Sequence, residues 1–186
     1  VQSPDLTQWS NYTATVVFTL QSEAFGVFLR SSTDGQNAYM FQINVTGANP
    51  VFKPHERNNG NYTVLPTVDL APFGYSNASL TGTTNTLQFV ASGTTLTTFL
   101  NGVQIHSRTD SSFRRGLVGF RTFGTEAASV HQVQVVKAGG GTLLDPDFSL
   151  GENGFSGGVI GNGALLVSGN TDAVFANLPA SLPLVR

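Results

Sequence analysis

The stretch LQFVASGTTLTTFLNGVQIHS, residues 87–107, carries the clearest structural signal in the chain. Apolar side chains alternate with Thr, Gln and Ser on both sides of Asn101-Gly102, and this period of two is typical of strands with one buried face. Asn-Gly favours a type I′ turn, because both residues accept a positive φ angle. The stretch therefore predicts a β-hairpin with strands at 95–100 and 103–107, preceded by another strand at 87–91.

Similar alternation continues on either side of this hairpin. It predicts further strands at residues 12–20, 25–29, 39–43, 63–65, 117–122, 130–137, 143–150 and 164–167. Residues 46–61 and 66–79 predict loops, because they contain prolines together with turn-forming glycines. No stretch of ten or more residues repeats apolar side chains at helical spacing. Many short strands without helices predict an all-β fold, an antiparallel sandwich or barrel.

The length of the chain fits a single domain. Its 186 residues, 40% of them hydrophobic, are enough for one packed core. The glycine run 139–141 is the best candidate for a break, but the residues after it contain few aromatic side chains and bury little surface alone. We therefore expect residues 139–177 to add edge strands to one sandwich that spans 1–177. The proline-containing residues 178–186 indicate an exit linker, as in a module cut from a larger protein.

Composition and charge exclude several kinds of partner. Charged residues make up 11% of the chain, and its net charge is −2 with nine Lys plus Arg, so a basic nucleic-acid-binding face is not expected. No apolar run approaches the roughly 20 residues of a membrane-spanning helix. The absence of Cys excludes disulfides and thiolate metal sites. We therefore expect neither nucleic acid nor a membrane as a partner.

The low charge and the abundance of Thr, Asn and Gly favour a secreted, extracellular protein. Four N-x-S/T sequences are candidate glycosylation sites, at Asn11, Asn44, Asn61 and Asn77. They support secretion only weakly, because a chain so rich in Asn, Ser and Thr contains such sequences by chance.

Two features raise the question of an enzyme. Asp145 and Asp147 are closely spaced carboxylates, as a glycosidase pair would be, but Pro146 between them favours a turn at a strand edge. The tripeptide QIH at 104–106 also occurs in jelly-roll alginate lyases, where a His helps to remove a proton. Here it follows the hairpin, where alternation alone explains it, and the Arg-rich and Tyr-Phe-Lys strands of those lyases are missing.

Two polar loops remain as candidate binding elements. One is DGQN at 34–37, just before Tyr39, and the other is HERNNGNY at 55–62. Sugar recognition uses amide and carboxylate groups that bond adjacent hydroxyls, together with an aromatic ring for the apolar face of the sugar. A hard cation such as calcium would use the same kinds of oxygen ligand. Ordinary hydrophilic turns have the same composition, and this alternative stays open.

Several segments resemble, in order along the chain, the rhamnose-binding modules attached to α-L-rhamnosidases. The most specific is FLR…NAYMFQIN, residues 28–44, which is similar to the family stretch F-R…N-x-Y-M-W-Q-I, with Phe41 in place of the Trp. Further matching segments are KPH (53–55), YTVL (62–65), FLNGV (99–103), GLVGFR (116–121), EA (126–127), DFS (147–149) and LPLVR (182–186). The hairpin and GLVGFR segments mark only a concanavalin A-like or laminin-G-like sandwich.

The resemblance implies a concanavalin A-like jelly roll that binds terminal L-rhamnose, with calcium bridging protein and sugar. In the family, an Asp-Asn pair just before the Tyr-Met motif holds both. Asn37 matches the Asn, Gln36 stands at the expected Asp, and Asp34 lies two residues earlier, where a bend in the loop would let it substitute. The expected metal ligands are therefore Asp34 and Asn37. A neutral amide at Gln36 is a poorer calcium ligand than a carboxylate.

We interpret the chain as a non-catalytic carbohydrate-binding module, monomeric, that targets an appended glycoside hydrolase to rhamnose-bearing plant polysaccharides or glycosides. The residues expected to contact sugar are Asp34, Gln36, Asn37, His55, Arg57 and Asn58. Two alternatives stay open: a small polysaccharide lyase or hydrolase on the same fold, and a structural accessory domain without a ligand. Turnover of oligosaccharides would reveal the first, whereas the second predicts no sugar binding.

Overall fold

The fold is built almost entirely from β-strands. The computed structural model describes residues 9–149, 151 and 154–175. Its strands are β1 (Tyr12–Ser22), β2 (Ala24–Ser31), β3 (Ala38–Asn44), β4 (Val51–Asn58), β5 (Asn61–Val64), β6 (Val68–Asp69), β7 (Thr84–Ser92), β8 (Thr95–Leu100), β9 (Val103–Thr109), β10 (Leu117–Thr122), β11 (Ala127–Lys137), β12 (Thr142–Leu144), β13 (Phe155–Ser156), β14 (Val159–Gly161), β15 (Ala164–Ser168) and β16 (Thr171–Phe175).

Two short helical turns lie in the segment 66–79 and just beyond it, where the sequence predicts only a loop. They are a 3₁₀ turn at Ala71–Phe73 and a four-residue helix, α1, at Asn77–Leu80. The Ser76 hydroxyl caps α1 by accepting a hydrogen bond from the Ser79 N–H at 3.1 Å. Neither turn, nor any other helix of the described residues, has the length and apolar character needed to cross a membrane.

The strands form two antiparallel sheets. Sheet 1 has the strand order β14-β15-β11-β1-β7-β8-β9, with β12 also paired to β11, and sheet 2 has the order β13-β16-β10-β2-β3-β4-β5, with β6 also paired to β4. Aromatic rings join the sheets: the ring centroids of Phe18 in β1 and Phe25 in β2 lie 5.0 Å apart, and those of Phe41 in β3 and Phe89 in β7 lie 5.5 Å apart. The predicted all-β antiparallel sandwich is confirmed.

The hairpin of β8 and β9 has the predicted turn. Asn101 and Gly102 have φ angles of 48° and 83°, in the left-handed region that these two residue types accept most readily. The side-chain oxygen of Asn101 accepts a hydrogen bond from the Thr86 N–H at 2.8 Å, which ties the turn to β7.

The loop predicted at 46–61 is wrong for its second half, which forms β4 between β3 and β5. Pro54 accounts for the error, because proline cannot donate to a strand partner and is rare inside sheets. On this side β4 pairs with β5 from His55 onward and with β6 up to Phe52. Neither β5 nor β6 has a residue paired with Pro54, so no partner strand needs the N–H group that proline lacks. His55, Arg57 and Asn58 therefore belong to a strand and not to a loop.

The residues after the glycine run pair with both sheets, β15 with β11 and β16 with β10. The strand predicted at 143–150 is shorter, since β12 ends at Leu144. Pro146 has no N–H for a strand partner, and its carbonyl accepts a hydrogen bond from the Val133 N–H at 3.1 Å. Residue 150 and residues 176–186, with the predicted linker, lie outside the described residues. The domain boundary at 177 therefore stays a prediction.

Candidate functional site

The outer face of sheet 2, the face turned away from the core, is itself covered by side chains. Every residue of β2 and β3 is buried, whereas strands with one solvent-exposed face alternate in burial. Gly26 on β2 shows how closely this face is packed, because a Cβ atom there would lie 2.7 Å from Sδ of Met40 on β3. Side chains of the flanking strands cross the face: the guanidinium carbon of Arg57 lies 5.6 Å from the ring centroid of Phe28.

Two arginines and a tyrosine form the centre of this cover. Arg57 on β4 is paired with Tyr62 on β5, and Arg121 comes from β10. The guanidinium carbon of Arg57 lies 5.0 Å from the ring centroid of Tyr62, and that of Arg121 lies 4.9 Å from it. Arg121 is also 5.4 Å from the ring centroid of Phe123. These cation–π contacts hold both guanidinium groups close to one another despite their like charge.

Each of the two arginines has a carboxylate nearby, but only Arg57 is hydrogen-bonded to its carboxylate. Nη1 of Arg57 donates to Oδ2 of Asp172 at 2.6 Å, and the two side chains are 11% and 35% exposed. Nη1 of Arg121 lies 3.7 Å from Oε2 of Glu126, which is too long for a hydrogen bond. Glu126 instead accepts hydrogen bonds from the Gln42 amide at 2.9 Å and the Phe123 N–H at 2.8 Å. Burial raises the pKa of Glu126, against the lowering effect of Arg121.

A pocket of about 450 Å³ opens beside these side chains. It is lined by Arg57, Tyr62, Arg121, Thr122, Phe123, Asn170 and Asp172. Phe123 is 60% exposed, which gives the pocket an aromatic side chain open to solvent. Three buried polar atoms lack a hydrogen-bond partner here, namely Nε of Arg57 and the hydroxyls of Tyr62 and Thr122. Since buried polar atoms are nearly always bonded to protein or water, this pocket is a place where water or a ligand completes the bonding.

His55 lies in β4, two residues before Arg57. Its ring is edge-on to that of Tyr62, with centroids 6.0 Å apart, and the residue is buried. Nδ1 donates to the Lys53 carbonyl at 2.9 Å, since a carbonyl can only accept. Burial lowers the pKa of His55, because the charged imidazolium loses its hydration there. His55 therefore contacts the pocket residue Tyr62 but does not line the pocket.

The predicted residues of the loop 32–37 lie beside this pocket and form a turn with its own hydrogen bonds. Oδ1 of Asp34 accepts from the Ser32 hydroxyl at 2.5 Å and from the Gln36 N–H at 3.0 Å. The Ser32 bond is the main reason that the pKa of the exposed Asp34 is lowered. The loop comes close to the arginine pair, because a Cβ atom on Gly35 would lie 3.7 Å from Nη1 of Arg57.

The same loop packs on the turn between β4 and β5. Oδ1 of Asn37 accepts a hydrogen bond from the Asn59 N–H at 3.1 Å, and the Gln36 carbonyl accepts one from the Gly60 N–H at 2.9 Å. Asn58, at the end of β4, is exposed beside this contact. The fold thus brings the two predicted segments together at one edge of sheet 2, but of their site residues only Arg57 lines the pocket.

The oxygen atoms expected to bind calcium already accept hydrogen bonds within the protein. Calcium takes six to eight oxygen ligands, preferably with several carboxylates. Oδ1 of Asp34 and Oδ1 of Asn37 are used as described, and Asp34 supplies the loop's carboxylate. No group of three or more Asp, Glu or His side chains in the described part of the chain is placed to hold a metal. A cation at this loop would have to displace these bonds, and calcium stays a prediction.

The features that raised the question of an enzyme lie away from this pocket. Asp145 accepts hydrogen bonds from Gln132 and Gln134 of β11 at 3.1 and 3.3 Å, and Asp147 accepts from the backbone and hydroxyl of Ser149. The ring of His106 packs against the aromatic core, 5.2 Å from the ring of Phe52 and 6.0 Å from that of Phe41, and its Nδ1 is buried. These groups have local structural contacts and do not meet at one site.

Most of the pocket residues lie outside the segments that the sequence predicts as binding elements. Arg121 falls in the strand predicted at 117–122, and alternation with the core residue Phe120 places it on the outer face, but only the fold was inferred from that segment. Phe123 follows as an aromatic just past the strand end, which is a usable signal. Asp172 lies in β16, which no pattern predicted, and only the pairing of β16 with β10 brings it next to Arg121.

The fold is similar to two solved sugar-related structures, although the sequence is not close to either. No protein-family model matches the chain, and no curated protein matches it. The carbohydrate-binding module CBM66 from Bacillus subtilis matches with a TM-score of 0.51 and 17% identity, over 87% of this chain and 73% of that one. The galectin LEC-6 from Caenorhabditis elegans matches with a TM-score of 0.52 and 16% identity, over 73% of this chain and 91% of that one. The chain thus has the β-sandwich fold of these two proteins.

Proposed function

We propose that the chain is a non-catalytic carbohydrate-binding module whose sugar site is the pocket on the outer face of sheet 2. The observation that carries the proposal is the aromatic residue Phe123, which is 60% exposed in a pocket that also contains Arg57, Arg121 and Asp172. An open aromatic ring offers a surface to the C–H groups of a sugar, and the charged side chains offer hydrogen bonds to its hydroxyls. Pockets that combine apolar surface with a few polar groups are typical of small-ligand sites.

The state of the nearby carboxylates supports a binding function over a catalytic one. Asp172 is paired with Arg57, and both oxygens of Glu126 accept hydrogen bonds from Gln42 and Phe123. A glycosidase needs one carboxyl group free to donate a proton and a second one free to attack or to activate water. In the described residues around the pocket, the carboxylates hold the arginines and the Phe123 backbone in place.

The finer parts of the proposal rest on the resemblance to rhamnose-binding modules. We propose terminal L-rhamnose as the sugar, an appended glycoside hydrolase as the enzyme that the module targets, a monomeric state and an extracellular location. Calcium bound by Asp34 and Asn37 is part of the same proposal. Affinity is expected to be weak, because a single sugar offers few atoms and its hydroxyls must lose water.

Isothermal titration with L-rhamnose, once with calcium and once with a chelator, tests this function. Heat in both titrations supports the sugar site and contradicts the calcium bridge, whereas heat with calcium alone supports both. Absence of heat with L-rhamnose and with a panel of plant sugars contradicts the function and favours the structural alternative. Release of reducing ends from oligosaccharides by the pure protein would favour an enzyme.

The substitution Phe123→Ala tests whether the sugar binds in this pocket. Loss of the ring is expected to weaken sugar binding about tenfold or more, because it removes both apolar contact and the aromatic face. Phe73→Ala is the matched control, since Phe73 is 37% exposed in the 3₁₀ turn and does not line the pocket. Equal affinity of the Phe123→Ala variant and the unchanged protein would contradict the proposed site.

A further inference from the structure

We propose that the saccharide bound in this pocket contains a sugar unit with a carboxylate, a uronic acid, and that the guanidinium of Arg121 binds this carboxylate. The inference rests on the proposed function and names the class of ligand for the same pocket. L-rhamnose has no carboxylate, so the uronic acid would be its neighbour in the chain.

The geometry of Arg121 is the first support. Its guanidinium lies over two aromatic rings, 4.9 Å from the centroid of Tyr62 and 5.4 Å from that of Phe123. A cation–π contact of this kind positions a guanidinium group and still leaves N–H groups available for hydrogen bonds. This fork of N–H groups matches the two oxygens of a carboxylate.

The second support is that neither of the two nearby carboxylates accepts a hydrogen bond from Arg121, whose guanidinium is close enough to the Tyr62 hydroxyl to counter the rise in pKa that burial causes there. Glu126, its ion-pair partner, is 3.7 Å away and uses its oxygens for Gln42 and the Phe123 backbone. Asp172, the strand neighbour of Arg121, points Oδ2 at Arg57 with a distance of 2.6 Å. The guanidinium of Arg121 is thus held in place by two aromatic rings, and no carboxylate of the described residues is hydrogen-bonded to its fork of N–H groups.

The balance of donors and acceptors favours an acidic ligand over a neutral one. Oδ1 of Asn170, another pocket residue, accepts from the Gly124 N–H at 2.9 Å, so this acceptor is also in use. A sugar hydroxyl brings a proton that needs an acceptor, and the second oxygen of Asp172 can serve only a few such protons. A carboxylate brings no proton and suits the donors that remain.

Charged side chains of both signs lie on this face. Lys53, Gln42, Gly26 and Arg121 lie in one row across β4, β3, β2 and β10, so Lys53 adds a third cation to Arg57 and Arg121. Asp172 and Glu126 are the carboxylates that pair with the arginines. Asp34 interacts with Arg57 and Glu23 with Glu126, so this face has no surplus of positive charge, and the proposed contact rests on the N–H groups of Arg121 and not on net charge.

A matched pair of disaccharides tests the inference. One is L-rhamnose linked to D-galacturonic acid, and the other is the same disaccharide with its carboxylate reduced to a primary alcohol. The acid is expected to bind about tenfold more tightly, because a charge-assisted bidentate contact is stronger than a neutral one. This preference should shrink between about 0.1 M and about 1 M salt, as the screening length falls from about 10 Å to about 3 Å.

Variants of Arg121 test whether this side chain causes the preference for the acidic disaccharide. Arg121→Gln should bind the acid and the alcohol equally, and Arg121→Lys should keep part of the preference, since it keeps the charge but loses the fork. Arg114→Gln, an exposed arginine outside the pocket, is the control that should behave like the unchanged protein. Thermal unfolding of each variant checks that the fold persists.

Equal binding of the acid and the alcohol by the unchanged protein would overturn the inference, and so would a preference that survives in Arg121→Gln. In both cases binding of L-rhamnose itself would leave the proposed function intact. If neither L-rhamnose nor either disaccharide binds, the inference and the proposed function fall together.

Discussion

The outer faces of the two sheets differ, although both sheets belong to one sandwich. On β1 of sheet 1, buried core residues such as Val16 and Phe18 alternate with half-exposed Thr15 and Val17. On β2 and β3 of sheet 2 every residue is buried, on the outer face as well as the inner one. When a strand of a two-layer sandwich is buried on its outer face as well, other side chains of the same sheet must cover that outer face. In this protein the candidate pocket lies on the covered outer face of sheet 2.

The polar contacts on the two faces also differ in kind. Sheet 1 has neutral pairs such as the Gln88 amide with the Thr15 hydroxyl at 3.4 Å and the Thr97 and Ser107 hydroxyls at 3.3 Å. Sheet 2 has an ion pair at 2.6 Å and buried polar atoms without partners around it. Neutral exposed pairs contribute little to stability and exchange readily with water. A partly buried charge pair fixes the position of both side chains, which is what a binding site requires.

The largest expected effect comes from adding volume to the packed face. In Gly119→Ala, the new Cβ atom would lie 2.8 Å from the Ala173 carbonyl oxygen and 3.1 Å from Cα of Val174, so the backbone of β16 must shift. We expect a loss of about 1–3 kcal/mol in the free energy of unfolding, measured by urea denaturation. Thr15→Ala on the outer face of sheet 1 is the control, with an expected change within about 0.5 kcal/mol. If Gly119→Ala changed the free energy of unfolding as little as Thr15→Ala does, the outer face of sheet 2 would be no more tightly packed than that of sheet 1.

The fold could be predicted because its signals are local. Alternation along β1 and the Asn101-Gly102 turn depend on a few neighbouring residues, and the strands formed where these patterns predict them. The prediction failed at β4, because Pro54 is tolerated there only through a gap between two short partner strands. Such a gap is a property of the pairing of distant segments, and no local pattern reveals it.

The pocket could be predicted only in part, because its residues come from distant strands. The polar segments around Asp34 and His55 were found from composition, and they do lie together at one edge of sheet 2. The partners that complete the pocket, Arg121 and Asp172, become neighbours through the pairing of β10 with β16. Their separation in sequence of some fifty residues hides this proximity from any analysis of spacing.

The next effect concerns the pH dependence of the free energy of unfolding, and it compares a histidine from each sheet. Burial lowers the pKa of His55 from its ordinary value of 6.5, so the native protein takes up a proton there less readily than the unfolded chain. The stability that neutral His55 provides is present above pH 6.5 and is lost as the pH falls through the lowered value. His55→Gln should therefore flatten the decline in unfolding free energy between about pH 7.5 and about pH 5.

The matched comparison for this experiment is His106→Gln in β9 of sheet 1, which should also flatten the decline in unfolding free energy. Burial also lowers the pKa of His106, so some decline should remain in the His55→Gln variant. An unchanged slope in His55→Gln would show that this histidine is hydrated in the folded protein.

The smallest expected effect separates two buried tyrosine hydroxyls. The Tyr39 hydroxyl donates to Asp110 at 2.5 Å and accepts from the Phe113 N–H at 3.0 Å, and burial raises its pKa to about 12. Tyr39→Phe should cost about 0.5–1.5 kcal/mol, because the Phe113 N–H loses its acceptor, whereas Asp110 keeps its hydrogen bonds to Arg108 and Ser112. The Tyr62 hydroxyl is buried in the pocket beside the guanidinium of Arg121 and has no well-aligned hydrogen bond, so Tyr62→Phe should change the free energy of unfolding by no more than about 0.5 kcal/mol. Equal destabilisation by the two substitutions would mean that the Tyr62 hydroxyl is bonded in solution, by water or by another side chain. The pocket would then have one fewer group available to a sugar, and binding would rest more heavily on Phe123 and the arginines.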